Sequence, residues 1–141
     1  MAEGDRLNPD EMLYRTVSEE NIDGDRILQE AIELPECSFD RSSMTAAEDV
    51  LARRPQDGRV MEVLVSNLPS PILREETKTL YSYLAIHRPE RSNLAHSQVE
   101  LTSPDGKLPP KMSPAFKSRA LAALADRIRV RPVTLVQTPT P

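Results

Sequence analysis

Thirteen prolines punctuate the 141 residues, mainly at the edges of candidate elements and through the last third of the chain. A proline cannot continue a helical ladder and is confined to the edges of sheets, so the chain is cut into short elements. Membrane-spanning helices are not expected, because no apolar run approaches the roughly 18 residues that crossing a bilayer takes. Apolar residues make up 38% and aromatic residues 4%, with no Trp, so the core must be built from Leu, Val, Ile and Ala. The length favours one domain, large enough to bury a real core without staples.

Between the breaks the periodicity gives an α+β pattern. Short strands are predicted at Leu13–Val17, Val60–Val65, Leu80–His87 and His96–Leu101. A further strand or helix is expected at Arg26–Leu34, after turn chemistry at Asn21–Asp25. Residues 35–43 read as a loop. Thr45 and Glu48 match a capping box, in which the hydroxyl caps a short helix and the carboxylate reaches back. That helix should stop at Pro55. Ser113-Pro114 starts a second helix, running to about Arg129 with Leu121, Leu124 and Ile128 as its apolar stripe. The expected fold is a single α+β domain over residues 12–131. It has a mainly antiparallel sheet of about four to five strands, a short helix after residue 45 and a C-terminal helix packed on the sheet. Residues 1–11 are expected to be disordered, and 132–141 form a Pro/Thr-rich tail.

Charge is unevenly placed. Residues 1–106 carry a net charge of −10 and residues 107–141 a net charge of +6. The basic helix, with Lys117, Arg119, Arg127 and Arg129, either complements the acidic body or docks on nucleic acid or an acidic partner. Five Phe and Tyr residues in all make RNA binding through aromatic platforms unlikely. One cysteine rules out an internal disulfide, and the polar, acidic N-terminus lacks a signal peptide, so a cytoplasmic location is expected.

The residues that could carry chemistry are that cysteine, Cys37, and the only two histidines. His87 closes one strand and His96 opens the next. Antiparallel pairing is expected to bring both imidazoles onto one polar surface. Cys37 precedes a helix N-terminus, where a thiolate is favoured. A Cys, Glu48 and two His can hold zinc, and a thiol beside an imidazole can act as a nucleophile. Each residue also has a plainer reading: Cys37 as buried filler, Glu48 as a helix cap, the histidines as polar flanks of a loop. Glycine-rich phosphate loops, GxSxG, paired CxxC and HExxH are absent.

Cys37, Glu48, His87 and His96, in that order in a small α+β body, resemble the CEHH proteins of bacteria. The segments Cys37-Ser38-Phe39-Asp40-Arg41-Ser42 and Asn93-Leu94-Ala95-His96-Ser97 carry the likeness, which covers roughly residues 13–131. Such proteins are encoded beside ubiquitin-like proteins, activating enzymes and JAB-type peptidases in conjugation operons. The resemblance implies a component of ubiquitin-like conjugation with those two proteins as partners. It would be either a transfer enzyme related to conjugating enzymes, using Cys37 with His87 and His96, or a zinc-bearing accessory held by Cys37, Glu48, His87 and His96.

Overall fold

The computed structural model describes residues 1–133. Most of the tail expected from residue 132 therefore lies outside the described residues. The fold is α+β, built on one large antiparallel sheet. In chain order the strands are β1 Met12–Ser18, β2 Ile22–Asp23, β3 Arg26–Ile27, β4 Glu36–Arg41, β5 Gly58–Leu64, β6 Ile72–Arg74, β7 Thr79–His87, β8 His96–Thr102 and β9 Arg129–Val130. The helices are α1, Ala47–Arg53, and α2, Pro114–Arg127. Seven strands form the main sheet in the order β6-β7-β8-β4-β1-β5-β9, and β2 and β3 make a separate small hairpin. The expected four to five strands therefore undercount the sheet.

The largest departure is β4. Residues 36–41, expected as loop, form a central strand between β8 and β1. Its side chains alternate: Cys37, Phe39 and Arg41 are buried, and Ser38 and Asp40 are half-buried on the other face. Pro35 and the polar residues mask this period of two, which is the strand's own signature.

One face of the sheet is the core. Leu13, Cys37, Phe39, Met61, Val63, Tyr81, Tyr83, Val99 and Leu101 form a continuous buried cluster with Phe116, Ala120, Leu124 and Ile128 from α2 and its end. The Tyr83 hydroxyl donates to the Ala120 carbonyl at 2.7 Å, and the Tyr81 and Phe116 rings lie 5.8 Å apart. The C-terminal helix thus packs on the sheet as its apolar stripe requires. Ser113 caps it, its hydroxyl accepting from the Phe116 N–H. The other expected cap does not form. Ala46 occupies the N-cap of α1, with no side-chain hydrogen bond from Thr45 to the helix N–H groups, and Glu48 is exposed. Pro55 does end that helix, and a 3-10 turn, Pro55–Asp57, follows.

The N-terminus is also tied down. Gly4 and Leu7 donate to the carbonyls of His87 and Ala85, and His87 donates back to Asp5. Leu7 is buried in the core. The expectation of disorder over residues 1–11 fails because backbone pairing and one well-placed leucine outweigh polar composition.

Candidate functional site

The register of two strand pairs decides where the nominated residues go. In the β7–β8 hairpin His87 stands opposite Ser97, and the Arg88 N–H bonds the His96 carbonyl. His96 therefore stands opposite Arg88, one position out of step with His87. A shift of one residue in a strand turns a side chain to the opposite face. The two imidazoles do not converge, and each belongs to a separate polar group.

His87 looks to the core side and is 6% exposed. Its Nδ1 accepts from the Arg41 guanidinium at 3.2 Å. Arg41 also donates to Glu11 at 2.7 Å, and Glu11 accepts further bonds from the Ser42 hydroxyl and from the Ser43 N–H and hydroxyl. Burial, with the Arg41 charge beside it, holds His87 below the usual histidine range. Burial pushes the Glu11 carboxyl up, but its hydrogen bonds to Ser43, Arg41 and Ser42 outweigh that and hold it below the ordinary value. This knot fastens the start of β1 to the end of β4 at the rim of the core.

Cys37 is completely buried on the core face. Its cross-strand neighbour is Val99, on the same face as His87 but two residues further along β8 than Ser97. Burial pushes its thiol above the usual range, partly offset by the charge of Arg15. Neither feature suits a nucleophile, because both access and the thiolate are disfavoured. Its alternation with Ser38 puts the sheet between the sulfur and the His96 ring. Glu48 lies elsewhere again, exposed on α1. Cys37, Glu48, His87 and His96 therefore do not fit a zinc ion. Among the described residues no cluster of three or more His, Cys, Asp or Glu side chains is placed to hold a metal.

His96 sits on the opposite face, in a groove of about 680 Å³. The groove lies where β1 and β4 part. They pair only at Leu13–Arg41 and Tyr14–Asp40. Tyr14 and Thr16 of β1, Ser38 and Asp40 of β4, and His96 of β8 line it. Arg53 of α1, the 3-10 turn at Asp57, Ala31 and the Glu90–Asn93 turn wall it in.

Within it, His96 Nδ1 is 2.7 Å from the Arg88 carbonyl, and Nε2 is 3.1 Å from the Ser38 hydroxyl. A carbonyl only accepts, so Nδ1 carries the proton, and in the neutral ring Nε2 is left as an acceptor aimed at Ser38. Asp40 stands across the strand from His96 but is engaged by Arg53 at 2.6 Å and by the Asn93 amide at 2.7 Å. The Glu90 carboxylate lies 3.6 Å from Nε2. Arg15 reaches across the parting of the strands, donating to the Ala31 carbonyl and, at 3.0 Å, to the Ser38 carbonyl.

Ser38 is the residue that the sequence reading passed over. It lies in the segment already singled out for Cys37, and reading Glu36–Arg41 with a period of two turns Ser38, in place of Cys37, towards the groove. A scan of protein-family models, a search of curated proteins and a search of solved structures each return no match. Among the described residues no helix is long and apolar enough to cross a membrane.

Proposed function

We propose that the groove is a serine-type acyl-transfer site, with Ser38 as nucleophile and His96 as its base. The observation that carries this reading is the oriented chain from the Arg88 carbonyl through the imidazole to the Ser38 hydroxyl. A nucleophile within hydrogen-bond reach of a base, with the base held by a third group, is the arrangement that hydroxyl activation needs. The Ser38 proton passes to Nε2 as Oγ bonds the substrate carbonyl carbon. Nε2–H then protonates the leaving group as its bond to carbon breaks, and water repeats the sequence to free the acid. The Arg15 guanidinium bonds the Ser38 carbonyl at 3.0 Å and so fixes the strand segment that carries the nucleophile.

A fluorophosphonate probe tests this, because an activated serine hydroxyl attacks its phosphorus, expels fluoride and is left as a stable phosphonate ester. Labelling of Ser38, located by peptide mass mapping and lost in Ser38→Ala, is expected. Unlabelled wild-type protein, with p-nitrophenyl acetate hydrolysed no faster than in buffer, would overturn the reading.

Membership of a ubiquitin-like conjugation pathway remains a proposal about partners, resting on the resemblance in the Cys37 and His96 segments. Its thioester version has no support in the setting of Cys37, which is buried and holds its proton. Incubation with a ubiquitin-like protein and its activating enzyme, followed by a non-reducing gel, is expected to show no thiol-sensitive adduct on Cys37. An adduct that vanishes in Cys37→Ser would restore that version.

A further inference from the structure

The groove interrupts a sheet, and an interrupted sheet leaves backbone groups without strand partners. Met12 and Tyr14 turn their backbone groups towards β4: the Ser42 N–H donates to the Met12 carbonyl, and Tyr14 pairs with Asp40. By strand alternation Thr16 and Ser18 face the same way, and their partners in a continued ladder would be Ser38 and Glu36. The ladder stops first. The Ser38 carbonyl takes its hydrogen bond from the Arg15 side chain in place of a strand N–H. On its other edge β1 stays paired with β5 along its whole length, from Met12–Leu64 to Ser18–Gly58. The inner edge of β1 at Thr16, with the Ser18 N–H, is thus held in register by β5 and lines the same groove as Ser38, while the Ser18 carbonyl is taken by the 3-10 turn that Ser18 caps.

We infer that the groove takes an extended peptide, which adds as a strand along the inner edge of β1 at Thr16 and Ser18 and presents a backbone carbonyl to Ser38. As a statement about substrate it deepens the serine reading and rests on it. Backbone pairing on an unpaired strand edge is a general mode of peptide capture. The volume, about 680 Å³, falls within the usual range of ligand sites. Phosphorylated or strongly anionic ligands fit less well, because the guanidiniums of the groove are engaged. Arg53 is bound to Asp40, Arg54 to Asp57, and Arg15 to two carbonyls.

The test is fluorescence anisotropy on the Ser38→Ala protein, which binds without turnover. The probe is a pool of fluorescein-labelled pentapeptide amides, compared with the same pool N-methylated at every backbone nitrogen. Saturable binding of the first pool is expected, with affinity about tenfold or more weaker for the second, the loss of one or two backbone hydrogen bonds. Thr16→Pro removes the N–H that faces the groove and leaves the β5 ladder its donors, so it should weaken binding similarly in protein shown to be folded by circular dichroism. Equal affinity for the two pools, or no saturable binding up to about 1 mM, would overturn the inference. The outcomes separate cleanly. Fluorophosphonate labelling without peptide binding rejects the peptide and keeps the serine. Peptide binding without labelling does the reverse and leaves the groove as a peptide-binding cleft.

Discussion

His87 and His96 flank the same hairpin, yet they live in opposite chemical settings. His87 is wedged against Arg41, whose guanidinium is in turn neutralised by Glu11, in a knot closed to solvent. His96 holds one nitrogen on a backbone carbonyl and points the other at a hydroxyl inside an open groove. One imidazole therefore accepts from a permanent cation and can do little else. The other is oriented with a free lone pair directed at a candidate nucleophile. A single step of strand register separates these fates, and it matters more here than residue type.

The contrast can be broken most strongly at the groove. His96→Gln should lower the rate of fluorophosphonate labelling at Ser38 by about 10²- to 10⁴-fold, the range for loss of a positioned base. His87→Gln should leave that rate within about threefold, the two rings being separated by the sheet. Equal losses in the two variants would mean that the faces are coupled and that the division drawn here is wrong.

The reverse experiment loads the knot. Arg41→Ala strands the Glu11 carboxylate in a buried position, which costs about 3–5 kcal/mol when a buried pair is broken. Urea denaturation should register that loss, whereas Arg53→Ala, which removes a half-exposed partner of Asp40, should cost no more than about 1 kcal/mol.

Cys37 belongs to neither site: it lies in the core at the end of β4 remote from Arg41, on the face away from the groove. Cys37→Ser, which places a hydroxyl among apolar side chains, should destabilise by about 1–3 kcal/mol without altering Ser38 labelling. A thiol reagent should modify native protein only as fast as it unfolds. Rapid modification of the folded chain would show that the sulfur is reachable after all.

Acidity sharpens the comparison with the smallest effect. The folded pKa of His87 is depressed, so the unfolded chain takes up its proton first. Stability is then lost as pH falls below about 6.5, the unfolded histidine value, until the folded value is passed. Glu11, also depressed, adds a second loss starting below about 4.5. His87→Gln should remove the first decline and keep the second. At the alkaline end Tyr83, pushed up to about 12 by burial, keeps its proton after the unfolded tyrosine has lost one, so stability falls as pH rises above about 10.

Much of this architecture is legible in the chain. Val60, Met61 and Val63 announce β5, the alternation of Tyr81, Tyr83 and Ala85 announces β7, and Ser113-Pro114 marks the start of α2. These features are local, and local chemistry reads directly. β4 does not read, because Pro35, Ser38 and Asp40 carry loop chemistry and only the partners on both sides make a strand of them. β6, three residues long, is held by its pairing with β7 and has no pattern of its own. The site is harder still. Singling out His96 was possible from its rarity, but its partner depends on a register that an eight-residue turn leaves open, and on a parting of strands visible only in three dimensions.

The first seven residues have a practical bearing. They lie along β7 beyond the short β6, bonded to Ala85 and His87. A chain trimmed to begin near Asp10 would bare those backbone groups and hand neighbouring molecules a template for edge-to-edge association. Removing these residues for convenience would thus raise the tendency to self-associate, so an affinity handle at the N-terminus is best added ahead of an intact segment 1–7.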